Sequence, residues 1–239
     1  MPALNKPTLA KISLATICSI ALTACGGGGS DDGNEPTVPS LDKALCFDNS
    51  IYQANAKYQL QFLEGSRGIT VSGTVESTNA SYENNSNLVK FIEVHNNVVN
   101  TVVVRYIKPL ASGIVAQYGT EAAQGAIAYT VTKYSPPYED RRAELAIGAT
   151  GTYVGQGTRE VVIPGSGNGP QPYTRTDSIK FVGVESITMP AGTFTACRYE
   201  VNGTTEWWHR GMVIRQDFAN GQSQILQSGE LNGTPLKSQ

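Results

Sequence analysis

Residues 179–231 read IKFVGVESITMPAGTFTACRYEVNGTTEWWHRGMVIRQDFANGQSQILQSGEL. Short apolar and aromatic runs are interrupted by Pro190-Ala191-Gly192, Asn202-Gly203 and Asn220-Gly221. Asn-Gly is the strongest short-range hairpin signal, because a type I′ turn needs positive φ at both central residues. The pattern predicts antiparallel strands in up-and-down order at 178–189, 193–201, 204–218 and 222–231. Gly211, in the middle of the long third strand, points to a bulge or bend. Alternation gives Ile179, Phe181, Ile187 and Met189 a common face on the first strand, Cys197, Tyr199 and Val201 a common face on the second, and Met212, Ile214 and Phe218 a common face on the third. Trp207 and Trp208 are adjacent, so they point to opposite faces. One fills the core; the other lies outside unless that face is covered, and an exposed Trp is a binding anchor or an edge ornament.

Upstream, the same reading continues. Tyr58, Leu60 and Phe62 alternate with polar residues, a half-buried strand. Gly65-Ser66-Arg67-Gly68 turns the chain into a partner carrying Ile69, Val71, Gly73 and Val75. Residues 79–87 are polar and read as a loop. Strands follow at 88–94 and 98–107, joined through Asn96-Asn97, with Pro109 ending the second. Further strands read at 113–118 and 126–134, then an irregular stretch or single helical turn from Pro136-Pro137 to Glu144. Strand character resumes at Val154 and 158–163, and 165–172 is a loop. The order Gly68-Ile69, Phe91-Ile92, Arg105-Tyr106, Gly113-Ile114 is echoed by Gly151-Thr152, Phe181-Val182, Arg198-Tyr199, Gly211-Met212. A duplicated meander explains the echo; so do two meanders sharing residue preferences. The fold class is all-β: antiparallel up-and-down meander sheets forming a curved half-barrel or sandwich, with two duplicated halves as one option.

The ends decide the compartment. Lys6 and Lys11 precede an apolar run at 12–22, about 11 residues where a membrane span needs about 20. This is the layout of a secretory signal. Leu22-Thr23-Ala24-Cys25 resembles the lipobox of bacterial lipoproteins. The resemblance implies a signal peptide at 1–24, a diacylglyceryl thioether on Cys25 and palmitate-type acylation of its new amine, which attaches the chain durably to a membrane. Gly26 after Cys25, by analogy with sorting in enteric bacteria, points to the outer membrane, on its periplasmic or its outer face. Residues 25–40 are a Gly-rich tether with a reach of about 20 Å. Residues 41–239 form one β-rich domain. Lys and Arg number 18 against 20 Asp and Glu. That balance offers no basic footprint for nucleic acid.

Cys18 leaves with the signal and Cys25 carries lipid, so Cys46 and Cys197 remain. In an oxidising envelope they are a candidate disulfide closing a loop of about 150 residues; the alternative is two separate buried thiols. His95 and His209 are the only histidines, and no ligands share a metal-like spacing, so neither metal nor cofactor is expected. Ser40-Leu41-Asp42-Lys43 matches S-x-x-K without its partner motifs, and Ser166 lies in G-S-G rather than a nucleophile elbow. Glu139-Asp140-Arg141-Arg142 reads as a solvated turn. No catalytic constellation assembles.

Ile187-Thr188-Met189-Pro190-Ala191-Gly192-Thr193-Phe194, then Cys197, Glu206-Trp207-Trp208 and Gly211-Met212-Val213, resembles a signature of Gram-negative envelope proteins, V-x-V-P-A-G-T-F followed by W-W-x-x-G. This chain departs from it at Met189 and at Met212-Val213. The resemblance covers about the last sixty residues. It implies a sheet-rich lipoprotein, similar to half-barrel lipoprotein carriers, and transfers no catalytic residue. The expectation is a non-enzymatic envelope lipoprotein that binds an apolar ligand or an envelope protein. Alternatives are a carbohydrate or cell-wall contact through Trp207 or Trp208 with Tyr199 and Arg210, or a purely structural role. A pocket lined by Phe181, Met189, Tyr199 and Met212 would favour the apolar ligand.

Overall fold

The computed structural model describes residues 43–236 apart from 98, 99, 112, 126, 127, 164, 165 and 168. The signal segment, Cys25 and the tether lie outside the described residues, as do the first residues of the expected strands at 98 and 126. Two 3-10 turns, Lys43–Cys46 and Asn49–Tyr52, lead into the strands. These are β1 (Lys57–Glu64), β2 (Arg67–Tyr82), β3 (Asn85–Asn96), β4 (Thr101–Ala111), β5 (Ile114–Gln124), β6 (Ala128–Asp140) and β7 (Thr150–Ile163). The chain continues through β8 (Ser166–Gly167), β9 (Gln171–Met189), β10 (Gly192–Val201), β11 (Thr204–His209), β12 (Met212–Asp217), β13 (Ser223–Leu231) and β14 (Thr234–Pro235). A 3-10 turn, Arg142–Glu144, joins β6 to β7.

Successive strands pair antiparallel, except that β7 passes over β8 to pair with β9, and β1 also pairs with β13, from Tyr58 opposite Leu231 to Glu64 opposite Gln224. Twelve of the 14 strands thereby close a ring; β8 and β14 lie off it. The expected meander is present. The expected half-barrel or sandwich is corrected to a closed barrel, which removes the unpaired edges that either would leave. β1 alternates exposed and buried residues as its sequence requires.

Several boundaries move. The supposed loop at 79–87 is strand on both sides of a two-residue turn, Glu83-Asn84, because ladder pairing rather than burial shapes this segment. Pro109 lies within β4 beside a register shift, and β6 runs through Pro136-Pro137 where residues 134–137 have no partner on β5. Such irregular positions tolerate a residue without a backbone donor. The 165–172 loop gives way to β8 and the start of β9. The single strand expected at 204–218 is two, β11 and β12. Arg210 and Gly211 between them have φ of 51° and 79°, the left-handed pair that a tight hairpin turn needs. The echoed motifs fall on β2, β3 and β4 and on β7, β9 and β10, but the second series then has an extra strand, β11, before its last member.

The segment ahead of β1 covers the rim formed by the turns after β4, β6 and β11. Arg210 and Gly211 donate backbone N–H groups to the carbonyls of Leu45 (3.1 Å) and Cys46 (2.7 Å). A Cβ on Gly113 would lie 2.6 Å from both Phe47 and Ala143, so this rim accepts the plug only with glycine there. Cys46 and Cys197 are joined in a disulfide, with Cα atoms 5.6 Å apart. Both faces of β10 are buried: Cys197 and Tyr199 pack with Cys46, Phe47 and Phe181, and Phe194 and Ala196 pack in the larger cluster with Leu60, Ile214 and Leu226. Replacing both cysteines by serine is expected to lower stability by about 2–5 kcal/mol, given the long loop the bond closes. Urea unfolding of the double variant measures the loss; an unchanged midpoint would show that the plug is held without the bond.

Candidate functional site

Inside the barrel lies a cavity of about 500 Å³. Its lining includes apolar and aromatic side chains, Tyr58, Leu60 and Phe62 from β1, Val71 from β2, Phe91 from β3 and Met212 from β12. The same lining holds the charged residues Glu93, Arg105, Asp140, Arg142 and Arg175. Of the four residues expected to line a pocket, only Met212 does so. Phe181 and Tyr199 are stacked on each other at 4.9 Å and sealed in the cluster around the disulfide, and Met189 is buried in the larger core.

Glu93 is the centre of the first charged group. It accepts hydrogen bonds from the Tyr58 hydroxyl (2.6 Å), His95 Nε2 (2.6 Å) and Arg105 Nη2 (3.2 Å). Tyr58 reaches it because Gly73 has no side chain: a Cβ there would stand 2.4 Å from the Tyr58 ring and 2.6 Å from Phe91. Burial alone would raise the Glu93 carboxyl. The adjacent Arg105 guanidinium, with the bonds from His95, Arg105 and Tyr58, instead holds it well below the usual carboxylate range.

The second group corrects the expected solvated turn at 139–142 for Asp140 and Arg142, while Glu139 and Arg141 pair with each other in solvent. Arg142 is 7% exposed. It pairs with Asp140 (2.8 Å) and Glu206 (3.0 Å), and its guanidinium lies 4.3 Å from the centre of the Trp208 ring. Trp208 donates its indole N–H to the same Glu206 (2.8 Å), and Gln216 donates to it at 3.2 Å. Glu206 is 64 positions from Arg142 in sequence, so no local pattern announces the partner. A weaker signal was present. Glu93 and His95, and Arg175 and Asp177, are each two apart in a strand, where such residues share a face, and Asp140 and Arg142 have the same spacing across the end of β6 and the 3-10 turn. All three pairs are bonded. A third group follows from the last of them: Asp177, 5% exposed, also accepts from the Tyr138 hydroxyl (2.5 Å) and from Asn202 Nδ2 (2.9 Å).

The four candidate contact residues do not meet on one exposed surface. Trp207 is 6% exposed, donates to Glu185 (2.7 Å), and has the Arg215 guanidinium 4.7 Å from its ring centre. Trp208 is half-buried and lines the cavity beneath Arg142. Tyr199 is fully buried, its hydroxyl donating to the Arg142 carbonyl at 3.3 Å. Arg210 sits in the β11–β12 turn, paired with Asp48 of the plug at 3.0 Å. His209 is buried, donates Nδ1–H to the Thr195 carbonyl at 2.9 Å, and burial pushes its pKa below the usual histidine value.

No family model matches this chain, and no curated protein does. A solved structure that is similar to it is that of a candidate lipoprotein from Parabacteroides distasonis, with 11% identity over 78% of this chain and 99% of that one, at a TM-score of 0.34. Similarity at that level carries no argument about fold or function.

Glu93 links the site to pH. Its folded pKa is depressed, so its contribution to stability is complete above the ordinary glutamate value of about 4.3 and is lost as pH falls through the folded value. Glu93→Gln is expected to cost about 2 kcal/mol at pH 7, discounted for the partial exposure of Arg105. It should also flatten the acid limb. Urea midpoints of wild type and variant from pH 7 to pH 2.5 measure both; parallel curves would show that Glu93 does not set the acid response.

Proposed function

We propose that the protein is a non-enzymatic envelope lipoprotein whose barrel binds a small amphipathic ligand. One observation carries the reading: a cavity of about 500 Å³ lined both by apolar and aromatic side chains and by buried charged groups. That volume lies in the range of small-molecule sites, which pair apolar walls with a few placed polar groups. The lipobox at Leu22-Thr23-Ala24-Cys25 and the Gly-rich stretch behind it support attachment to a membrane, and Gly26 favours the outer membrane. The refinement over a purely apolar ligand comes from Glu93, Arg105, Asp140 and Arg142, which a hydrocarbon alone would leave facing it without new partners. A sugar shelf built on Trp207 and Trp208 has less support, since the first is buried and the second lies under a guanidinium.

The neutral fluorophore N-phenyl-1-naphthylamine tests the apolar lining. Added to the chain from residue 26 onward, it should give a saturable, blue-shifted emission at one site per molecule while near-ultraviolet circular dichroism stays native. The second readout separates a cavity from loosened packing. No saturable emission would overturn the reading.

A further inference from the structure

A second cavity, of about 330 Å³, adjoins the first: Arg105, Gln117 and Arg175 line both. It sits toward the rim opposite the plug, near the first residues of β4 and β6 and the last of β5. Its lining holds three arginines, Arg105, Arg159 and Arg175, and no carboxylate. The ladder builds it. Arg105 faces Thr120, Thr120 faces Thr132, and Thr132 faces Arg159, so one row crosses β4, β5, β6 and β7 with a guanidinium at each end. Arg175 comes from β9, opposite Gly155, where a Cβ would stand 2.9 Å from Tyr138 and 3.0 Å from Tyr134.

The three cations are not equally satisfied. Arg105 gives Nη2 to Glu93 and Arg175 gives Nε to Asp177. Arg159 has neither kind of partner. The residues two before and two after it are Gly157 and Val161, so the carboxylate two positions away that serves Arg142 and Arg175 is missing. Its Nε donates to the Thr132 hydroxyl at 3.1 Å, and its guanidinium stacks 3.6 Å from the centre of the Tyr173 ring. Among the described residues no carboxylate forms an ion pair with it. Stacking and one neutral hydrogen bond orient the fork without a described carboxylate to pair its charge. A preorganised guanidinium with two others beside it is matched bidentately by a carboxylate or phosphate.

We infer that the cavity bounded by Arg105, Arg159 and Arg175 is an oxyanion site that takes the acid head of a ligand whose apolar part occupies the larger cavity. This rests on the reading of the barrel as a binding module and names the class: an amphiphile ending in a carboxylate or phosphate. The larger cavity supplies hydrocarbon contact near Phe62, Val71 and Phe91, and the arginine row supplies the counter-charge.

Calorimetric titration of the chain from residue 26 onward with decanoate, decanol and inorganic phosphate tests the assignment. Decanoate is expected to bind about tenfold more tightly than decanol, the scale of one charge-assisted contact pair. Arg159→Gln should remove that advantage and leave decanol unchanged. Arg159→Lys, which keeps the charge and loses the fork, should restore part of it. Both variants should keep a urea midpoint close to wild type, since the Arg159 side chain is half-buried and forms no ion pair with a described carboxylate. Equal binding of decanoate and decanol, insensitive to both variants, would overturn the oxyanion site and leave the cavity reading standing. Phosphate binding that needs Arg159, with neither decyl compound bound, would uphold the oxyanion site for a free ion and overturn the amphiphile. No binding by any of the three would overturn both.

Discussion

A ring of twelve strands is wider than its own side chains can fill; about eight is the number at which inward residues just meet. The rest of the structure answers that constraint. Leu60, Phe62, Val71 and Phe91 condense one side into a core. Tyrosines and arginines, whose long side chains carry polar ends inward, reach across the other. The plug ahead of β1 occupies one rim, with Phe47 6.4 Å from Trp208 and 6.1 Å from Tyr199. What neither core nor plug fills remains as the two joined cavities.

Polar groups inside a barrel must bring partners, because an unpaired charge away from water costs several kcal/mol. Here the solution is largely local along each strand. Asp177 follows Arg175 and His95 follows Glu93 at the spacing that puts two strand side chains on one face, and Arg142 reaches back to Asp140 from the 3-10 turn after β6. Cross-strand partners such as Glu206 and Arg105 then complete the groups. Against this habit Arg159 is the exception, and its position beside two other guanidiniums makes it the natural place to seek a ligand's charge.

Much of this was written in local pattern, and the limits of that pattern are physical. Alternation at Tyr58, Leu60 and Phe62 gave β1, and Asn202-Gly203 and Asn220-Gly221 marked real turns, since both signals depend on residues a few positions apart. Gly211 was visible, but a glycine alone does not distinguish a bulge from a hairpin; the left-handed Arg210 beside it decides. Ring closure was not legible: β1 and β13 are joined by backbone groups, which every sequence possesses. Arg142 was misread because its surroundings in sequence are charged, while its surroundings in space are Trp208, Tyr199 and Glu206. The candidate contact residues failed to gather for a related reason: both faces of β10 are covered, so aromatic residues near it are interior whichever way they point.

The disulfide has a mechanical side. Cys46 lies where the chain enters the barrel, and Cys197 sits within β10, flanked by Val184 on β9 and Trp208 on β11. Tension on the chain ahead of Cys46 passes through a covalent bond into a strand gripped on both sides. It bypasses Phe47, Asp48 and Ile51, whose contacts with the Arg210-Gly211 turn and the Gly113 rim would otherwise be peeled away one at a time. A pull on the N-terminus would therefore load β10 and leave the plug seated on its rim.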